Sequence, residues 1–204
     1  MNTTELSMLL SLSAIWGASF IFQRITVPDV GVFPTAAARV VLSAIVLFFY
    51  ASMTRRRLGW AKNWKHYSIV GIFNLAIPMF LFSYGAKYLP SAYSAILNAT
   101  VPFWTTLLGT VVFRDVIPKR ALIGIGLGLI GVVWISRAGG LDFDFWTTIA
   151  FLGCTLAAVS YAFTANYVKR FAASVPTVNL TTGGTLVASV FLLPPGLMHL
   201  PHHF

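Results

Sequence analysis

The chain has 204 residues, of which 57% are hydrophobic and only 9% are charged, whereas an ordinary soluble domain has about 25% charged residues. This composition excludes a soluble fold. The net charge of +9 lies in the gaps between apolar segments, so it indicates membrane topology and no nucleic-acid partner.

Seven apolar runs follow one another along the chain, and each approaches the roughly 20 residues that a helix needs to cross a bilayer. Lipid cannot satisfy exposed backbone groups, and none of the runs alternates apolar and polar residues as a barrel strand does, so we predict helices. The expected fold is an all-α integral membrane protein with about seven transmembrane helices in the lipid bilayer. The runs cover residues 6–23, 34–53, 67–86, 92–113, 121–136, 145–168 and 178–198.

Basic residues are distributed unevenly over the loops between these helices. The even-numbered loops hold ten Lys and Arg residues, whereas the odd-numbered loops hold three. The positive-inside rule therefore places the even-numbered loops and the amino terminus in the cytoplasm, and the membrane is expected to be the inner, or plasma, membrane. The ten are Arg55, Arg56, Arg57, Lys62, Lys65, Arg114, Lys119, Arg120, Lys169 and Arg170, and the three are Arg24, Lys87 and Arg137.

A weak internal duplication relates the two parts of the chain. A shift of 145 residues places Trp16 on Tyr161 and Arg24 on Lys169. An odd number of helices per unit would invert the second unit in the membrane, and inverted repeats are common in transporters. We therefore predict residues 1–137 as a complete five-helix repeat and residues 138–204 as the first two helices of an incomplete second repeat.

Two predicted helices share a pair of residues with the same spacing. Asn74 precedes Pro78, and Asn98 precedes Pro102, by four residues each. Proline has no N–H, so the asparagine carbonyl four residues back should lose its helical partner. Each pair then offers a free acceptor beside an amide, which suits a cavity wall at the asparagines and a hinge at the prolines. A kink healed by neighbouring helices is the alternative.

One charge and three aromatic residues complete the candidate substrate cavity. Arg39 lies inside the second helix, where a charge is costly and is a functional candidate by default, unless it snorkels to the nearby interface. Trp16 and Phe20 are one helical turn apart, and Tyr161 corresponds to Trp16 in the duplication. These rings suit the walls of a cavity, and ordinary aromatic packing is the other interpretation.

Enzyme chemistry has little support in the sequence. The five carboxylates lie at helix ends or in loops, and no metalloprotease or nucleophile-elbow motif is present. The single cysteine, Cys154, excludes an internal disulfide or a cysteine-based metal cluster. A GxGxxG pattern at residues 126–131 lies inside an apolar run, where no dinucleotide site forms. We therefore expect no catalytic residue, no cofactor and no bound metal.

Several stretches match a known family in their order and spacing. They begin with the AIWGASF run at residues 14–20, continue with Pro34 and Arg39, and are strongest between residues 85 and 135. On these residues the chain resembles the EamA-type permeases of the drug/metabolite transporter superfamily. The family often has Glu after the fourth helix, where this chain has Asp115.

The resemblance implies ten helices in an inverted 5+5 repeat, with a central cavity and alternating access, commonly for the export of amino acids, other metabolites or drugs. Compared with that pattern, the chain is cut short at its carboxyl end. The leading hypothesis is a transporter, and more specifically an exporter, of a small-molecule substrate. The alternative is a non-transporting membrane interaction protein or a truncated remnant. If the truncation is genuine, another membrane chain would be a partner.

Overall fold

The computed structural model describes residues 2–115, 123–128, 130–131, 134 and 144–201, and all regular secondary structure within these ranges is helical. The prediction of an all-α fold is therefore confirmed. The elements are α1 (Thr3–Val30), α2 (Val32–Met53), α3 (Trp60–Ile69), a π-helical segment (Val70–Ala76), α4 (Ile77–Tyr88), α5 (Ser91–Ala99), α6 (Val101–Val111), α7 (Phe145–Phe171) and α8 (Thr177–Met198).

Five helical stretches are long and apolar enough to cross a membrane: α1, α2, the continuous stretch Trp60–Tyr88, α7 and α8. They correspond to the first, second, third, sixth and seventh predicted helices. The fourth predicted helix is divided at Thr100 into α5 and α6. The fifth, at residues 121–136, lies largely outside the described residues, although 123–128 are helical.

The connection between α1 and α2 consists of a single residue. Gly31 has a φ of +96°, a backbone conformation that other residues rarely adopt, and its N–H donates to the Val27 carbonyl at 2.9 Å. The chain therefore reverses without a loop, and α2 begins directly against the end of α1. This tight turn fixes how the two helices enter the bundle.

Contacts at one end of the bundle join the three loops that are rich in Arg and Lys. Asn179 at the start of α8 donates to the Arg57 carbonyl at 3.0 Å, and Arg170 at the end of α7 donates to the Phe113 carbonyl at 2.7 Å. Arg170 also forms an ion pair with Asp115. The three basic loops thus lie at the same end of the bundle, as the predicted parity of the helices requires.

The described core consists of three clusters, and each cluster joins a different group of helices. The first joins α1, α4, α5 and α7, the second joins α2, the π segment and α8, and the third joins α3, the end of α7 and α8. Alanine and cysteine make up much of these clusters, which allows close helix approach. Buried members include Phe20, Phe82 and Cys154 in the first, Ala37 and Ala188 in the second, and Tyr67 and Val70 in the third.

Glycines place α8 directly against the π segment. A Cβ added to Gly71 would lie 2.7 Å from the Gly184 carbonyl oxygen, and one added to Gly184 would lie 2.9 Å from Val70 Cγ1. Both distances are shorter than a real side-chain contact allows, so these positions require glycine. The backbone of α8 can therefore lie directly against the π segment.

Candidate functional site

A cavity of about 350 Å³ lies along α1 where it faces α5. This volume falls within the lower range of small-molecule sites. Its walls are mainly apolar, with a serine hydroxyl and an asparagine amide among them. The lining residues are Leu12, Ser13, Trp16, Gly17, Phe20, Ala95 and Asn98.

A second, much smaller cavity adjoins the first and shares Trp16 and Phe20 with it. Its volume of about 10 Å³ has room for no more than one water molecule. Helices α1, α2, α4 and α7 all contribute to its walls. The lining residues are Trp16, Ser19, Phe20, Gln23, Arg39, Met79, Phe82 and Tyr161.

Five of the six residues predicted for the substrate cavity line one or both of these cavities. Trp16 and Phe20 line both, and Asn98 lines the larger one. Arg39 and Tyr161 line the smaller one, so Tyr161 lies beside its proposed counterpart Trp16. The sixth residue, Asn74, lies in the π segment and lines neither cavity, and its role in substrate binding stays a prediction.

Aromatic rings form a continuous wall between the helices. Phe20 on α1 meets Phe82 on α4 edge to face, with 5.4 Å between ring centroids, and Phe82 stacks on Tyr161 of α7 at 6.2 Å. Phe20 and Phe82 are buried in the first core cluster. Trp16 is instead 47% exposed, so it stands at the open edge of the wall. The rings therefore both pack the core and enclose the cavity.

Arg39 brings a guanidinium group into the smaller cavity without a strong partner. Its Nη2 donates to Ser19 Oγ at 3.4 Å, a long hydrogen bond. Within the described residues, both ion pairs involve Asp115, which does not line this cavity. A membrane charge without a counter-charge is costly, so it favours a ligand or another polar group as its partner.

Gln23, a residue not predicted from the sequence, is the most buried polar residue of the smaller cavity. Its side chain is 2% exposed, and its Nε2 donates to Ser83 Oγ at 3.5 Å. Its Oε1 has no hydrogen-bond partner among the described residues. Helical spacing could have indicated Gln23, because Trp16, Phe20 and Gln23 are separated by four and three residues and so share one helical face.

The first Asn–Pro pair coincides with the π segment, which ends just before Pro78. In a π-helix the N–H bonds to the carbonyl five residues back, so the carbonyl that Pro78 leaves free is that of Phe73. The prediction had assigned this role to Asn74. Ser160 on α7 donates its hydroxyl to the Phe73 carbonyl at 2.6 Å. The irregular helix is thereby joined to α7.

The second Asn–Pro pair coincides with the break between α5 and α6. Thr100 ends α5, and Pro102 stands in the first turn of α6. The Thr100 hydroxyl donates to the Leu97 carbonyl at 2.6 Å and accepts from Trp104 Nε1 at 3.1 Å, so side chains replace part of the interrupted backbone bonding. Asn98 stands directly before the break and lines the larger cavity. Both predicted hinge positions are thus sites where the helix is irregular.

The fold and the cavities define a class: a helical integral membrane protein with a partly polar cavity between its spans. A model of the EamA-like transporter family matches residues 3–137. The chain belongs to this family, and it is an integral membrane protein.

Curated relatives agree with this assignment. The chain is 25% identical to the uncharacterized transporter YdfC of Bacillus subtilis over 79% of its own length and 53% of the relative. It is 29% identical to the uncharacterized transporter YyaM of the same organism over 66% and 45%. It is 25% identical to the uncharacterized inner membrane transporter YedA of Escherichia coli over 79% and 52%. The chain spans about half the length of these relatives.

One crystal structure of another protein shares the fold. It superimposes with a TM-score of 0.62 and 19% sequence identity, and the match covers 95% of this chain and 69% of that one. At this identity the likeness concerns the arrangement of helices alone.

Proposed function

We propose that the protein exports small metabolites, such as amino acids or drugs, across the inner membrane by alternating access. The observation that carries the proposal is the pair of adjoining cavities in a chain of a transporter family. They gather Trp16, Phe20, Arg39, Asn98 and Tyr161 from helices α1, α2, α5 and α7. These walls combine apolar rings with a few polar groups, as small-molecule sites do.

The difference in volume between the cavities supports an alternating cycle. The smaller cavity is closed to anything larger than water, and the larger one beside it has room for a small metabolite. Trp16 and Phe20 stand between them. A displacement of these two rings would join the cavities, and the irregular helices at Pro78 and Pro102 are the places where a span can bend with the least disruption of backbone bonding.

The charge distribution supports the proposed orientation. The three loops that are rich in Arg and Lys lie at one end of the bundle, and that end would face the cytoplasm together with the amino terminus. Export then requires a cavity that first opens toward this end and later toward the other.

Release of metabolites from proteoliposomes tests the transport proposal. Vesicles that contain the full-length protein are loaded with a cell metabolite extract, and mass spectrometry follows which compounds leave the lumen. We expect the wild type to release at least one compound, and Arg39→Ala and Tyr161→Ala to slow its release by about tenfold or more, because charge-assisted and buried hydrogen bonds are lost. The variants should express and elute like the wild type.

Thr181→Ala is the matched control, since Thr181 is exposed and its hydroxyl donates to the Thr177 carbonyl within α8. Wild-type vesicles that retain every compound would contradict transport. Release that is unchanged in both cavity variants would instead show that the cavity is in the wrong place.

A further inference from the structure

Two polar side chains that line the smaller cavity, Arg39 and Gln23, lack the partners that their chemistry demands. Arg39 has several N–H donors and makes one long hydrogen bond, and Gln23 Oε1 has no hydrogen-bond partner among the described residues. We infer that this cavity is a two-point site for a small carboxylate that bears a hydrogen-bond donor beside the carboxylate group. Arg39 binds the carboxylate and Gln23 Oε1 accepts from the donor, an assignment that rests on the proposed transport function.

Arg39 sets the charge of the ligand. A guanidinium group matches a carboxylate with two parallel hydrogen bonds, and in a membrane the ligand also supplies the missing counter-charge. Arg39 is the one cationic residue that lines the cavity. A phosphate monoester carries nearly two negative charges and would retain an unpaired charge here, so a single arginine favours the monovalent carboxylate. A cationic ligand without an acid group would be repelled.

Gln23 provides the second contact with the ligand. Its amide is 2% exposed, and the long bond from Nε2 to Ser83 Oγ leaves Oε1 as the free end of the group. A buried carbonyl oxygen accepts hydrogen bonds and repels other acceptors. A ligand with an ammonium or hydroxyl group next to its carboxylate satisfies it, whereas a plain carboxylate leaves it unpaired. The cavity therefore distinguishes these two kinds of acid.

Aromatic rings make up most of the remaining wall. Trp16, Phe20, Phe82 and Tyr161 all line the cavity, so the rest of the ligand meets flat apolar surfaces. At about 10 Å³ the cavity must widen before a ligand enters. The larger cavity beside it, which shares Trp16 and Phe20, provides the space for the apolar part.

Three probes, each with a phenyl group, distinguish the contact with Arg39 from the contact with Gln23. Phenyllactate carries both the carboxylate and a neighbouring hydroxyl, phenylpropionate carries the carboxylate alone, and phenylalaninol carries donors without the carboxylate. Their affinities are measured by the thermal stabilisation of the purified full-length protein in detergent. We expect phenyllactate to bind about tenfold more tightly than phenylpropionate, in keeping with one hydrogen bond, and phenylalaninol to give no stabilisation.

Variants assign each point to its residue. Gln23→Leu should weaken phenyllactate about tenfold and leave phenylpropionate unchanged, so that the preference disappears. Arg39→Gln should weaken both acids by about tenfold or more. Thr181→Val, on the exposed face of α8, should change neither affinity. Gln23→Met, which keeps an unbranched side chain, repeats the test if the leucine variant does not fold.

Several results would overturn the two-point site: no binding of phenyllactate, a preference for phenylalaninol, or an equal loss for both acids in Gln23→Leu and Gln23→Met. None of these results contradicts the transport proposal if wild-type vesicles still release a compound. Conversely, the expected preferences in a protein that releases nothing would support the site and contradict the transporter proposal.

Discussion

The serine and threonine hydroxyls that donate in this bundle mostly donate to a carbonyl of their own helix. Thr105, Thr164 and Ser189 each donate to the residue four positions back, at distances between 2.7 and 3.0 Å. Such groups are satisfied before any ligand arrives and can lie inside the membrane at little cost. The polar atoms that remain for recognition are therefore few, and this scarcity gives Gln23 and Arg39 their significance.

Asp144 offers a residue-scale prediction outside the membrane spans. It caps the amino end of α7, where its carboxylate accepts from the Thr147 N–H at 2.7 Å. Hydrogen bonds from the side chain and backbone of Thr147 hold the pKa of Asp144 below its ordinary value. Because the folded-state pKa is lowered, this stabilisation is present above the unfolded-state pKa of about 4 and is lost as the pH falls through the folded-state value.

The expected outcome concerns the difference between two proteins. Asp144→Asn keeps a side-chain acceptor that caps a helix well but does not titrate. The wild type should have the higher Tm at pH 7, and its advantage should shrink steadily toward pH 3, as measured by thermal unfolding in detergent. An advantage that is constant over this range would exclude the titration of Asp144 as its source.

Single residues were predicted best where the membrane itself makes them unusual. A lone arginine in an apolar run is conspicuous, so Arg39 was identified from the sequence and lines the smaller cavity. Gln23 lies near the end of its run and was not predicted, because its burial depends on the packing of α2 and α4 against α1. Such packing is a property of the folded bundle, and helical spacing gives only a hint of it.

At the scale of elements, a hydrogen bond joins the π segment to α7. Ser160→Ala removes the donor to the Phe73 carbonyl and should lower the free energy of unfolding by about 1 kcal/mol, a typical value for a hydrogen bond between membrane helices. Chemical unfolding in detergent measures it. Thr155→Ala is the control, since its hydroxyl donates to the Phe151 carbonyl of its own helix and its loss should have a smaller effect.

A second background makes this prediction sharper. In Pro78→Ala the main-chain N–H is restored, so the carbonyls that precede it regain a backbone donor. The loss caused by Ser160→Ala should then be smaller than in the wild type, and the difference is the coupling energy of a double-mutant cycle. Equal losses in both backgrounds would show that Ser160 does not compensate for the proline.

The helices themselves were predicted closely from the apolar runs. For α2, α7 and α8 the predicted ends lie within three residues of the observed ones, because length and hydropathy alone define a span. The prolines indicated where the helices are irregular, but the type of irregularity at each position was not predicted. A shift into π-helical geometry and a complete break at Thr100 both follow from how the neighbouring helices pack, and hydropathy does not record that packing.

At the scale of the whole molecule, the native cysteine makes the orientation measurable. Cys154 is completely buried, so it should not react with a membrane-impermeant maleimide. Lys62 lies in the first turn of α3, at the basic end of the bundle, and Pro90 lies just beyond the opposite end of the stretch Trp60–Tyr88; both positions are exposed. In intact cells we expect labelling of the Pro90→Cys variant, and labelling of the Lys62→Cys variant only after lysis. The reverse pattern would place the amino terminus outside.

The uneven burial of the spans has a mechanical consequence. Within the described residues, 6% of the most apolar stretch of α1 is buried, compared with 33% to 44% for the other four spans. Yet α1 supplies Trp16, Phe20 and Gln23 to the cavities. Within the described residues, a displacement of α1 therefore breaks fewer contacts than a displacement of α8, whose glycine lies against the π segment. The helix that a ligand must displace, α1, is therefore also the span whose displacement breaks the fewest contacts within the described part of the chain.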